Sequence, residues 1–185
     1  MAGVVALRTN VAHWSSPFCQ QLDRYLVESG VALIDLPWDF ELLQKDRDHF
    51  TARGFDSFCR ALAAALSSQG VAGDLFVIAD STVDHINRSD PARPADEKLR
   101  KCLAAHKMKA VIASQGGSGF CGLQEQRKSF LHLARHRTRA DPSLKKACWV
   151  LVGGWNDDTQ QYSLDEVKGA IAELLAMHNP SVSPR

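Results

Sequence analysis

A chain of 185 residues with 45% hydrophobic and 23% charged side chains has the composition of an ordinary globular domain, with enough apolar surface for one full core. Its 22 basic and 21 acidic residues leave a net charge of +1, which argues against nucleic acid or an acidic membrane surface as a general partner. No apolar run approaches a membrane span, and the amino terminus lacks a basic-then-apolar signal pattern. With them, five cysteines without CxxC spacing (Cys19, Cys59, Cys102, Cys121, Cys148) read as reduced thiols of a cytoplasmic protein.

In chain order, Gly3 to Leu7 predicts a short apolar strand, after which Arg8 to Trp14 turns polar. Ser16-Pro17 is a helix start, with serine as cap and proline at the first helical position, and Phe18, Leu22, Tyr25 and Leu26 keep one apolar face until Gly30. Val31 to Leu36 is a second buried strand, and Trp38 to His49, charged and aromatic without a period, is a loop. Thr51 caps a helix that turns Phe55, Phe58, Cys59, Leu62 and Leu66 inward. Leu75 to Ala79 is apolar without alternation, as strands of parallel sheets are, and it delivers Asp80 and Ser81 to its carboxyl end.

Thr82 to Pro94 carries two prolines and predicts a loop overhanging that end. Ala95 to His106 is helical, Lys109 to Ala113 is a strand, Ser114 to Gly122 is a glycine-rich turn, and a further helix runs from about Leu123 to Arg137. Ala147 to Val152 is the fifth strand, ending in Gly153-Gly154-Trp155-Asn156-Asp157. Ser163 and Glu166 form a capping box for the last helix, which turns Val167, Ile171, Leu174 and Leu175 inward. Strands alternating with helices predict one α/β domain over residues 1–180, a three-layer α/β/α sandwich around a five-stranded parallel sheet, with 181–185 as a loose tail.

Polar and unusual residues collect after the strands: Asp46 to His49 beyond the second, Ser81 after the third, glycines after the fourth, Asn156 after the fifth. In a parallel sheet these loops share one edge, so residues far apart in sequence converge there. Ser118 is a rival nucleophile, but its segment lacks the Gly-x-Ser-x-Gly elbow. His132 and His136 stand four apart without a third ligand and read as solvated helix residues, so no metal is expected. A nucleotide or phosphate binder using Ser114 to Gly119 as an anion cradle lacks the expected lysine.

Four motifs in this pattern resemble those of the SGNH (GDSL-type) hydrolases. Ala79-Asp80-Ser81 is similar to the family's Gly-Asp-Ser block, Ser114-Gln115-Gly116-Gly117-Ser118-Gly119 to its glycine block, Gly154-Trp155-Asn156-Asp157 to its Gly-x-Asn-Asp block, and Asp46-Arg47-Asp48-His49 to its Asp-x-x-His block. The family runs serine, glycine, asparagine, then acid and histidine. Here the Asp-His block comes first, as in a circular permutation or a unit cut from a tandem array. Mapping the family's sheet onto the permuted chain places the Leu75 strand between the Lys109 and Ala147 strands, with the Gly3 and then the Val31 strand beyond.

The resemblance implies a serine esterase without metal or cofactor, acting on a small acyl ester or thioester. Ser81 would be the nucleophile, His49 the base and Asp46 its orienting acid, with Asp48 as rival acid. Ser81, Gly117 and Asn156 would form the oxyanion hole, with Gly116 and Gly119 as rivals to Gly117. Asp80, Trp38, Trp155 and Asp84, beside His85, would line the pocket. The competing expectation is a catalytically silent binding module of the same fold.

Overall fold

The apolar runs are strands of one sheet, buried on both faces in the middle of it and half exposed at the edge strand over 32–35. The computed structural model describes residues 3–8, 16–36, 50–84, 95–121, 129–153, 156–159 and 161–178. Its strands are β1 (Val4–Arg8), β2 (Ala32–Asp35), β3 (Gly73–Ala79), β4 (Met108–Ser114) and β5 (Cys148–Val152). They form a sheet in the order β2-β1-β5-β3-β4, with every described pairing parallel. This is the expected order, with β3 between β4 and β5. The register runs from Gly73 opposite Met108 to Ala79 opposite Ser114 on one side, and from Leu75 opposite Cys148 to Ala79 opposite Val152 on the other. Ala79, Ser114 and Val152 therefore end level, and the three connections beyond them leave the sheet from one place.

The helices are α1 (Pro17–Glu28), α2 (Ala52–Ser68), α3 (Ala95–Ala105), α4 (Phe130–Ala140), a four-residue turn α5 (Asn156–Thr159) and α6 (Leu164–His178). Residues of β3 alternate between two apolar layers. Leu75, Val77 and Ala79 join Phe58, Leu62 and Leu66 of α2 and Leu99 and Leu103 of α3. Phe76 and Ile78 join Leu22 and Leu26 of α1, Phe130 and Ala134 of α4, and Ile171 and Leu174 of α6. The result is the α/β/α sandwich, with the sheet as the middle layer.

Local chemistry sets the helix starts. Ser16 Oγ accepts from the Cys19 N–H (3.1 Å) ahead of Pro17, and Thr51 Oγ1 accepts from the Gly54 N–H (3.0 Å). Ser163 and Glu166 close their capping box, with the Ser163 N–H donating to Glu166 Oε2 (2.8 Å) and the Glu166 N–H to Ser163 Oγ (3.3 Å). The hydroxyl and N–H of Ser163 hold the Glu166 carboxyl below its ordinary value.

Two boundaries differ from expectation. Ser81–Asp84 is helical where the sequence predicts a loop from Thr82, because Asp80 caps it. The helix expected from Leu123 is described only from Phe130, with Ser129 as its cap, since Ser129 Oγ accepts from the His132 N–H (3.0 Å).

The buried thiols give the fold an alkaline weakness. Burial raises the thiols of Cys59 and Cys148, and it raises Cys121 to about 12 with help from the Asp157 carboxylate. Below the unfolded thiol value, about 8.5, both states keep their protons and pH has no effect through these groups. Above it the unfolded chain binds fewer protons than the native one, so stability falls as pH rises, by at most about 1.4 kcal/mol per pH unit for each thiol. Urea midpoints of the reduced protein should therefore drop between pH 8.5 and 10.5, and Cys121→Ala should make the slope shallower. An unchanged slope in that variant would show that its ionisation is not linked to folding.

Candidate active site at the carboxyl edge of the sheet

Asp80 organises the edge. It comes directly after the last residue of β3, is fully buried, and its N–H donates to the Val152 carbonyl (3.1 Å), extending the β3–β5 ladder. Its Oδ1 accepts from the Thr82 N–H (2.8 Å) and Thr82 Oγ1 (2.6 Å), and its carbonyl accepts from the N–H groups of Val83 (3.3 Å) and Asp84 (3.2 Å). The aspartate thus caps the turn Ser81–Asp84 and makes Ser81 its first helical residue. An N–H in that position has no acceptor within its own helix. Among the described residues, nothing hydrogen-bonds to the N–H or the hydroxyl of Ser81, which is half-buried.

Next to it, the chain turns sharply after β4. The Gln115 N–H donates to the Ala79 carbonyl (3.1 Å), and the Ser118 N–H closes back on the Gln115 carbonyl (3.2 Å). Gly117 occupies the third position of this turn with φ +77°, where a side chain would be strained. The Gly116 N–H donates to Asp84 Oδ2 (2.8 Å), tying the glycine turn to the turn that begins with Ser81. Asp84, expected to line a pocket, thus acts as a strut. Its carboxylate also sets a negative group against the glycine turn that would serve as an anion cradle, which tells against a phosphate binder there.

Ser118 is buried, and its hydroxyl donates to the Gln115 carbonyl (2.6 Å) and approaches that of Ala79 (3.3 Å). A hydroxyl so enclosed is a fastening of the turn, so Ser118 falls as a rival nucleophile.

The segment after β5 fastens the other two. Asn156 Nδ2 donates to the Ser118 carbonyl (2.7 Å) and to Asp80 Oδ2 (3.3 Å), and the residue is buried. Asp157, fully buried, accepts the Phe120 N–H on Oδ2 (2.6 Å) and the Cys121 N–H on Oδ1 (3.0 Å). Two of these contacts leave no room for a side chain. A Cβ on Gly119 would lie 2.6 Å from the Asp157 oxygens, and one on Gly153 (φ +116°) would lie 2.1 Å from Asp80 Oδ2. Gly119 is therefore a cradle for Asp157, and the Gly116 N–H already donates to Asp84.

Of the residues singled out from the sequence, Ser81, Asp80, Asp84, Gly117 and Asn156 come together at this edge. Asp46, Asp48, His49, Trp38, His85 and Trp155 lie outside the described residues. Two residues that hold the site, Asp157 and Gly153, are visible in the sequence only as members of the cluster closing β5. His132 and His136 lie on α4 with rings 6.4 Å apart, and among the described residues no three potential ligands gather to hold a metal. No described helix is long and apolar enough to cross a membrane.

No family model matches the chain, and no curated protein matches it. Among solved structures it is similar to a LacI family transcription regulator from Clostridium acetobutylicum, at 10% identity and a TM-score of 0.30, over 98% of this chain and 94% of that one. A likeness at that score carries no argument about fold or function.

Proposed function

We propose that the chain is a serine acyl hydrolase of SGNH type in permuted order, cleaving a carboxylic ester or thioester by way of an acyl-enzyme. One observation carries the reading: among the described residues, Ser81 has an unpartnered hydroxyl and an unpartnered N–H at the first position of a capped helical turn, and the cap is bonded to the Asn156 amide. A serine placed to be structural would have turned its hydroxyl to the nearest carbonyl, as Ser118 does.

In this reading Ser81 Oγ attacks the acyl carbon while His49 takes its proton, and the same imidazole returns a proton to the leaving group. Asp46 holds the ring in the needed tautomer and stabilises its charged form. As the carbonyl oxygen becomes negative, the Ser81 N–H at the helix start meets it with a donor and a favourable dipole. Gly117 supplies the second N–H, and Asn156 Nδ2 supplies the third donor by loosening its longer bond, the one to Asp80 (3.3 Å), while keeping the shorter one to Ser118. This chemistry calls for no metal or cofactor. The 85–94 segment, leading from the Ser81 turn to α3, is the natural place for substrate selection.

A fluorophosphonate probe tests the nucleophile directly, since it phosphonylates a serine only where a base and oxyanion donors act on it. Incubation and then peptide mapping should place the adduct on Ser81, and p-nitrophenyl esters of increasing acyl length should then report the preferred chain. Absence of any adduct, with no ester turned over, would favour a silent binding module of the same fold. Modification at another serine would refute the assignment of Ser81.

A further inference from the structure

All five thiols are free in this structure, and two of them lie on neighbouring helices in the same apolar layer. Cys59 lies on α2, wholly buried, and Cys102 lies on α3, half-buried and packed on the same apolar layer. Each sits one turn along from a partner in an ion pair: Asp56 precedes Cys59 by three residues, Lys98 precedes Cys102 by four, and Asp56 and Lys98 are bonded to each other. The two pairs therefore form successive rungs between the same helix faces, one ionic and half-buried, one of sulfur and more deeply shielded. The Cys59 thiol is raised by burial first and then by the Cys102 thiol across the seam between α2 and α3. The other three cysteines sit apart from this seam, on α1, after the glycine turn and on β5.

We infer that Cys59 and Cys102 are a redox-active dithiol whose disulfide staples α2 to α3. The helices it joins are those entered from the Asp46–His49 segment and from the 85–94 segment, so the bond would link the two units that carry the proposed base and nucleophile. Independently of any catalytic role, the chemistry is complete with a peroxide as oxidant. Cys102, the accessible thiol, attacks a peroxide oxygen and becomes a sulfenic acid, releasing one water. Cys59 Sγ then displaces the hydroxyl from that sulfur, which leaves as the second water. Two thiols lose two electrons and two protons, and hydrogen peroxide gains them. Burial raises the Cys59 thiol and keeps it protonated, so the more accessible Cys102 meets the oxidant first, and Cys59 gives up its proton to the departing hydroxyl as it attacks the sulfenic sulfur.

The test oxidises the native full chain with stoichiometric hydrogen peroxide and reads intact mass, a non-reduced peptide map and the unfolding temperature. The expected product is lighter by about two hydrogens, carries a single Cys59–Cys102 cross-link and melts roughly 5–10 °C higher, because a closed loop of about 40 residues restricts the unfolded chain. Dithiothreitol should reverse all three changes. Cys102→Ser, at the half-buried position, should fold normally and show none of them. A Cys102 that accumulates as sulfinic acid without a cross-link, a disulfide to any other cysteine, or five thiols still free after treatment would each overturn the inference.

Discussion

Ser81→Ala is expected to lower kcat/KM on an activated ester by at least about three orders of magnitude while leaving stability within about 0.5 kcal/mol of the parent. Both halves rest on the same geometry. The hydroxyl bonds to no described residue and the side chain is only half-buried, so its removal opens no cavity and strands no partner. Alanine is also at home in the first turn of a helix, and the cap that shapes the turn belongs to Asp80. Activity, by contrast, would lose the atom that forms the acyl bond. What remains would be the acceleration that binding and the oxyanion donors give to a water. The pairing of a large kinetic loss with a negligible stability loss is the signature of a residue placed for chemistry. Measured together, urea midpoints and ester turnover decide it: a variant that keeps more than about a tenth of the parent rate removes Ser81 from the mechanism, whatever its stability.

Much of this edge is legible in the sequence, and the reason lies in which information is local. Leu75 to Ala79 announces a strand buried on both faces, and its residues do alternate between the two helical layers. The caps at Ser16, Thr51 and Ser163 depend on residues three positions apart, and all three form as expected. The strand order is also as expected, but that expectation comes from laying the sheet of the resembled family onto the permuted chain and not from the strands themselves.

What the sequence does not disclose are the bonds between loops. Asp84 reads as a pocket-lining residue, and nothing near it in sequence announces its bond to the Gly116 N–H, 32 positions away. Asp157 looks like one acid of a polar turn, and its partners are the backbone N–H groups of Phe120 and Cys121, which have no side-chain signature. Ser118 and Gly119, both candidates for chemistry on paper, turn out to fasten the turn and to make room for a carboxylate. A carboxylate that accepts from main-chain N–H groups can choose among any residues the fold brings near, so residue types alone do not reveal the choice.

These carboxylates explain how a site can be assembled from loops. Asp80, Asp84 and Asp157 each accept from a backbone N–H, two of them on a neighbouring strand's loop, and Asn156 donates across to both other loops. Charge-assisted bonds of this kind are stronger than neutral ones, and shielding from water strengthens them further. Three connections are thereby held as one body, which positions the Ser81 N–H and hydroxyl without engaging either.

Gly153→Ala is expected to be the most destabilising single-atom addition at this edge, at about 3 kcal/mol or more. The new methyl would sit 2.1 Å from Asp80 Oδ2 and 2.3 Å from its Cγ, far inside contact distance, on a backbone at φ +116° that side chains rarely adopt. Asp80 has nowhere to retreat, because its carboxylate is fixed by the Thr82 N–H, the Thr82 hydroxyl and the Asn156 amide. Gly169→Ala provides the opposite case: the glycine is exposed in α6 with nothing within 4 Å of the added carbon, and the change should stabilise by about 0.5–1 kcal/mol. A double-mutant cycle isolates the cause. Asp80→Ala alone should cost about 1–2 kcal/mol through loss of the cap, and in its background Gly153→Ala should cost markedly less than in the parent, because the clash is gone and only backbone strain is left. Equal costs in the two backgrounds would locate the whole penalty in the backbone and would show that Asp80 does not press against Gly153 in solution.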